Sequence, residues 1–195
     1  MDELTRLAIA ARDGEPQDMA AFIRASQRQV WWLCAHLVDE DSADDLTQET
    51  YLRVFRTLRS FHQDSSARTW LLSITRHVCM DELRQRIRRR RRDARLIPPG
   101  GDEPVSLGET DQAEMRELLS HLDADRRAAF VLTQLIGLSY DEAAAVCRCP
   151  VGTIRSRVAR VRTDLITALG LAPAAEPPAA DPPTVRWART RWAKR

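Results

Sequence analysis

Lysine is almost missing from this sequence of 195 residues: Lys194 is the only one, so nearly all of the 30 basic side chains are arginines. An arginine at any one position therefore carries no message about a choice of forked over point-like charge. Aromatic residues are also scarce, at 6%, so a core must be built mostly from aliphatic side chains. No apolar run approaches the roughly 20 residues of a membrane-spanning helix, because Arg, Asp or Glu interrupts each one; no membrane insertion is expected. The first residues contain Asp2, Glu3 and Arg6 without an apolar stretch or a small-residue cleavage site. No secretory signal is read there, and the expected location is the cytoplasm.

Metal and catalytic chemistry find little support. There are four cysteines, which a reducing cytosol would keep as thiols. Cys147 and Cys149 form only a C-x-C pair, and His77 with Cys79 is too small a set for a tetrahedral zinc site. They read as small buried hydrophobes or loop thiols. His36, His62 and His77 have no accompanying nucleophile, and the chain lacks a glycine-rich phosphate loop and a nucleophile elbow. No cofactor, no metal and no enzymatic activity are expected.

What is present is an uneven distribution of charge. The formal net charge is only +2, but residues 1–50 hold eleven acids and four bases, a balance of −7, which leaves +9 for the remainder. An acidic front and a basic rear suit two kinds of partner, a basic protein surface and a polyanion.

Helical periodicity dominates. Residues 19–38 carry apolar side chains at helical spacing. The string SADD at 42–45 resembles a capping box with Asp in place of Glu, opening a helix to about Phe61. The polar loop 61–66 follows, with Ser65 or Ser66 as cap for a helix over 67–90. Arginines crowd positions 84–95, as a phosphate-contacting cluster or a solvated helix end. The string IPPGGDEP at 97–104 stops any helix, so 94–110 reads as a linker too long for the inside of one compact domain. Beyond it the pattern predicts helices over 111–122 and 123–136, the latter closed by Gly137. A capping box at 139–142 opens a short helix to Cys147. A turn over 148–151 leads into a last helix over 152–169. Two helices joined by a tight turn after two supporting helices make a helix-turn-helix unit. The fold class is all-α: two small helical domains, 1–93 and 111–171, joined by a flexible linker, with a basic tail over 172–195 expected to be disordered. That tail ends in VRWARTRWAKR, which leaves open a contact with nucleic acid, a protein or an anionic surface, or no role at all.

At about 100° per residue, the last helix gathers Ile154, Val158, Val161 and Leu165 into one buried stripe. Its first half then presents Thr153, Arg155, Ser156, Arg157 and Arg160. Arginine can bond a guanine edge, and Ser or Thr a phosphate, so this face suits a major groove. A charged face alone would more often be merely solvated; the capping box and turn before it favour DNA.

The strings DDLTQET at 44–50, YLRVF at 51–55 and ARTWLL at 67–72 resemble region 2 of the extracytoplasmic-function sigma factors of the sigma-70 family. LSYDEAAA at 138–145 and PVGTIRSR at 150–157 resemble region 4 of the same family. The likeness runs over about 17–171 and is nearest to the actinobacterial sigma-C type. It implies promoter-specific initiation of transcription with core RNA polymerase. Asp44, Asp45, Gln48 and Glu49 would dock on the clamp helices of the largest subunit, with Leu46 in the core, and the second domain would meet the flap of the second-largest. His62, Arg68, Trp70, Arg76, His77 and Arg84 would serve the −10 DNA, and Thr153, Arg155, Ser156, Arg157 and Arg160 the −35 element. An anti-sigma factor is a candidate partner. The rival reading is a helix-turn-helix regulator acting on promoter DNA without core polymerase; the acidic segment at 44–49 argues against it.

Overall fold

The structure, a computed structural model, describes residues 1–62, 65–93, 118–119 and 121–168. The predicted linker over 94–110, most of the predicted helix over 111–122 and the tail over 172–195 lie outside the described residues. Within them every regular element is helical.

The first unit has four helices. α1 spans Glu3–Ala10, where the sequence pattern places none. Asp2 caps it: its Oδ1 accepts from the Thr5 amide at 2.9 Å, satisfying one orphan N–H of the first turn. α2 spans Pro16–Leu37, starting earlier than the apolar spacing predicts because Pro16 sits at the first turn, where its missing N–H costs nothing. α3 spans Ala43–Thr57, continued by a 3-10 turn at Leu58–Ser60. The capping box expected at 42–45 does not form. Ser42 adopts helical dihedrals and makes no side-chain cap; its hydroxyl instead accepts from Arg86, and Asp39 caps its amide at 2.9 Å. α4 spans Ala67–Asp93. Ser66 caps the Thr69 amide at 3.1 Å, and the Thr5 hydroxyl of α1 takes the Ala67 amide at 2.9 Å. α1 therefore helps to start α4 from across the bundle.

Phe22, Val30, Leu33, Leu37, Val54, Leu71, Leu72 and Val78 are fully or almost fully buried where these helices meet. Each such side chain contributes about 1.5–3 kcal/mol of transfer free energy. Tyr51 is buried on the same seam, and burial pushes its phenol up to about 12 although its hydroxyl meets Ser26 at 2.8 Å. Cys34 and Cys79 are buried with their sulfurs 3.8 Å apart, as small apolar fillers. Charged groups close the rim. Arg53 bonds Glu49 at 2.8 Å and reaches Asp81 on α4 at 2.9 Å. Arg86 ties α4 back to Asp39 and Ser42 before α3.

The second unit has three helices among the described residues. α5 spans Ala124–Phe130, capped by Asp123, and passes into a π-turn at Val131–Leu135 instead of the single helix expected to 136. The hydroxyl of Thr133 donates to the Ala129 carbonyl at 2.8 Å, competing for the acceptor an α-turn would use. Gly137 closes the turn at φ 77°, with the Leu138 amide on the Leu132 carbonyl at 2.9 Å, as expected of a C-terminal glycine. α6 spans Tyr140–Cys147 and α7 spans Val151–Ala168. Leu132, Leu138, Ala143, Val146, Ile154, Val158 and Val161 form their core, which joins that of the first unit.

Asp81 lies below the ordinary carboxylate value because Arg53 bonds it, with His77 and Arg84 adding to the effect. A carboxylate with a lower value folded than unfolded stabilises the fold above about pH 4 and loses that contribution as pH falls through the folded value. Asp81→Asn should flatten the fall of the urea midpoint between about pH 5 and pH 2; an unchanged pH slope would contradict the ion-pair assignment.

Candidate nucleic-acid interface

The turn between α6 and α7 is built by local rules. The Ser139 hydroxyl accepts from the Glu142 amide at 3.2 Å, and the Glu142 carboxylate takes the Ser139 amide at 2.8 Å. This is the reciprocal capping box read from the sequence. α6 ends at Arg148, a non-glycine residue at φ 52°, which costs about 1 kcal/mol and turns the chain so that α7 can start at Val151. The Thr153 amide then bonds the Pro150 carbonyl at 2.9 Å. Burial pushes the Cys147 thiol up to about 11, leaving an inert group under the turn.

Ile154, Val158, Val161 and Leu165 are buried, as the wheel predicts. Arg155, Ser156 and Arg160 are exposed and Thr153 is half-buried. The guanidinium of Arg155 lies over the Tyr140 ring, 5.9 Å from its centroid, which holds it at the start of the exposed face. Arg157 does not point freely outward. Its side chain is 22% exposed, and Nη2 bonds Asp125 Oδ2 at 2.9 Å.

Asp125 is shared. Its other oxygen, Oδ1, holds Arg76 of α4 at 2.5 Å. Arg68 donates to the Ile136 carbonyl at 2.8 Å. The six candidate groups around α4 therefore divide. Arg68 and Arg76 turn toward the second unit, while His62, His77 and Arg84 are exposed. His77 and Arg84 both lie near Asp81, at 3.8 and 3.1 Å. Trp70 is half-buried against Phe61, with ring centroids 5.0 Å apart, which leaves one part of the indole open.

A second cross-contact was not legible in the sequence. Arg127 is 8% exposed, and its Nη1 donates to the Leu37 carbonyl at the end of α2 at 2.8 Å, with Nη2 on the Leu122 carbonyl at 3.2 Å. Only its place in the first turn after the Asp123 cap could have hinted that it faces inward.

On α3, Asp45 and Gln48 are exposed, and Glu49 is 43% exposed with Arg53 as its partner. Asp44 accepts the Trp31 indole N–H at 2.8 Å, so it anchors α2 as well as adding charge. Leu46 is buried, as expected. Leu52, 51% exposed, continues the face of Asp45, Gln48 and Glu49 by helical spacing. Among the described residues no cluster of His, Cys, Asp and Glu could hold a metal ion, and no helix is long and apolar enough to cross a membrane.

Known proteins share this arrangement. Residues 22–91 match the sigma-70 region 2 family and residues 112–165 the sigma-70 region 4 family. The probable RNA polymerase sigma-C factor of Mycobacterium bovis is 48% identical over 169 residues, covering 85% of this chain and 90% of that protein. The ECF RNA polymerase sigma factor EcfG of Rhodopseudomonas palustris is 38% identical, covering 66% and 72%. Among solved structures, the sigma factor RpoE bound to the anti-sigma factor NepR from Bartonella quintana has a TM-score of 0.64 at 29% identity, covering 80% of this chain and 99% of that one. CnrH in complex with the cytosolic domain of CnrY gives 0.68 at 26% identity, covering 87% and 98%.

The Asp125 bridge holds two arginines of the candidate DNA surfaces away from solvent. Asp125→Ala should raise the affinity of the free chain for duplex DNA by about 2- to 5-fold, in line with exposed ion pairs. Fluorescence anisotropy measures it, with circular dichroism as the fold control; unchanged affinity would contradict a competing role for the bridge.

Proposed function

The chain belongs to the extracytoplasmic-function sigma factors of the sigma-70 family, and from that premise we propose which of its surfaces carry out each step of initiation. The protein directs promoter-specific transcription initiation. Its family is not one of enzymes, and nucleotidyl transfer belongs to the polymerase.

The acidic face of α3 docks on core RNA polymerase. Asp45, Gln48 and Glu49 supply charge and hydrogen bonds to the clamp helices of the largest subunit, and Asp44 contributes while bracing Trp31. The second unit meets the flap of the second-largest subunit. The −35 element enters as duplex against α7, with Arg155, Ser156 and Arg160 toward the groove and Thr153 at its edge. Arg157 joins them once Asp125 is exchanged for DNA. What carries this reading is the exposed face of α7 behind a fully formed capping box and turn.

The −10 element is taken by the end of the first unit that carries His62, Trp70, His77 and Arg84, with Arg68 and Arg76 released when the units part. Unstacking a base costs a few kcal/mol, which aromatic stacking and arginine contacts to the strand offset. The basic run at Arg88 to Arg92, exposed at the end of α4, tracks phosphates. A role in transcription initiation is one for a protein of the cytoplasm. The similarity to RpoE and CnrH, each solved with a partner, supports an anti-sigma polypeptide as a further ligand of the closed arrangement.

Arg157→Ala should reduce run-off transcription from a cognate promoter by at least about tenfold, since a good base contact is worth about 1–3 kcal/mol. Core binding should survive; its loss would contradict the role given to α7. Reversing charge at both Asp45 and Glu49 to Lys should weaken core binding several-fold with an unchanged helical spectrum. Equal affinity in a competition assay against the housekeeping sigma factor would count against docking through α3.

A further inference from the structure

Three large apolar side chains are exposed among the described residues: Met1, Leu52 and Ile87. Leu52, 51% exposed, stands on α3 one turn after Gln48 and Glu49. At about 100° per residue, Asp45, Gln48, Glu49 and Leu52 fall within roughly 100° of one another. They form one stripe, acidic at its start and apolar at its end, which the exposed Arg56 closes. Asp45 and Gln48 have no hydrogen-bond or ion-pair partner among the described residues. Arg53 takes Glu49 Oε1 at 2.8 Å, and the Glu49 side chain is still 43% exposed. An exposed leucine beside open carboxylates fits a partner that brings cations and an apolar group together.

The chain itself carries such a partner. Residues 185–195, outside the described residues, hold five bases and no acid, and contain the pentapeptides RWART at 186–190 and RWAKR at 191–195. Each unit sets a tryptophan between cations: Trp187 between Arg186 and Arg189, and Trp192 between Arg191 and Lys194. The region 4 match ends at residue 165, so this repeat lies outside both family modules. Seventeen residues separate Ala168, at the end of α7, from Arg186. At 3.3–3.6 Å per residue they reach at most about 60 Å, more than the roughly 40 Å diameter of a compact body of this size. Tethered at that length, the repeat stands at an effective concentration of about 1 mM. The stripe repels a polyanion and the repeat attracts one, so the two complement each other.

We infer that the tail over 186–195 docks on the α3 stripe of its own chain, with its cations on Asp45 and Glu49 and a tryptophan ring on Leu52. This rests on the proposed docking of α3 on core RNA polymerase and adds regulation to it: the tail covers the same face, and polymerase has to displace it. At that effective concentration, an intrinsic dissociation constant of about 0.1–0.5 mM covers the face in most molecules and weakens core binding about 3- to 10-fold.

Lys194, the only lysine, makes the test specific. In the full chain without polymerase, a water-soluble carbodiimide condenses the Lys194 amine with an adjacent carboxylate into an amide, and the reagent leaves as its urea. Mass spectrometry should find Lys194 joined to Asp44, Asp45 or Glu49 within one chain, and excess core polymerase should suppress that product. Lys194 joined to carboxylates elsewhere, or only to those of a second chain, would overturn the inference. In the full chain, Arg186→Gln, Arg191→Gln, Trp187→Ala and Trp192→Ala together should raise core affinity about 3- to 10-fold, with an unchanged helical spectrum. Equal core affinity would contradict the masking role. So would a variant that loses duplex promoter binding, or binding to phosphatidylglycerol vesicles, in place of a gain in core binding. Failure of the broader reading of α3 shows differently. The Lys194 product then forms, but adding Asp45→Lys and Glu49→Lys to the tail-substituted chain leaves its core affinity unchanged.

Discussion

α4 serves the core of the first unit and the second unit with the same first four turns. Leu71, Leu72, Thr75, Val78 and Cys79 are all buried, so one side is committed to α1, α2 and α3. The neighbouring side carries Arg68 and Arg76, and there the second unit packs. Beyond Arg86 the helix leaves the bundle and its side chains become exposed, Ile87 at 50%. The division of the molecule follows from this. Arg68 and Arg76 in the early turns are free only when the second unit is elsewhere, whereas the arginines from Arg88 to Arg92 are exposed in this arrangement.

The contacts that fasten the second unit are mainly arginine contacts to carbonyls and a carboxylate: Arg68 on Ile136, Arg127 on Leu37, and Arg76 with Arg157 on Asp125. Groups of this kind can be exchanged for water or phosphate oxygens with little net loss, unlike buried leucines. They also give direction, because a guanidinium has five donors in a fixed fork. An arrangement held this way is closer to a transient interface than to a domain core. The apolar seam beneath it, where Leu138 and Ala143 join the common core, sets how tightly the closed form is held.

The elements written in local signals were legible. The α7 stripe follows from 3.6-residue periodicity, and the Ser139–Glu142 box and the Gly137 closure follow from residue type and spacing. The misses have local causes too. α1 is short, and its signal is only the Asp2 cap followed by mixed residues. Ser42 looked like a cap, but Arg86, 44 positions later, takes its hydroxyl, and no local window contains that competitor. The π-turn at Val131–Leu135 depends on how Thr133 directs its hydroxyl, which composition does not reveal. For the site, exposure was predicted correctly wherever a helix face alone decides it, as at Arg155, Ser156 and Arg160. It failed at Arg157, and the contacts of Arg68 and Arg76 were not foreseen, because the environment of all three comes from residues far away in sequence. The chemistry of the candidate groups was readable, but their present partners were not.

The shared carboxylate has a consequence for ionic strength. Mobile ions weaken the Asp125 bridges and so release Arg76 and Arg157, while the same ions lower the attraction of those freed groups for a polyanion. The two effects oppose each other. Unassisted promoter recognition by the isolated chain should therefore pass through an optimum at intermediate salt, unlike the monotonic decline of a binder whose cations are permanently free. A partner that held the units apart would remove the rising limb and leave only the decline.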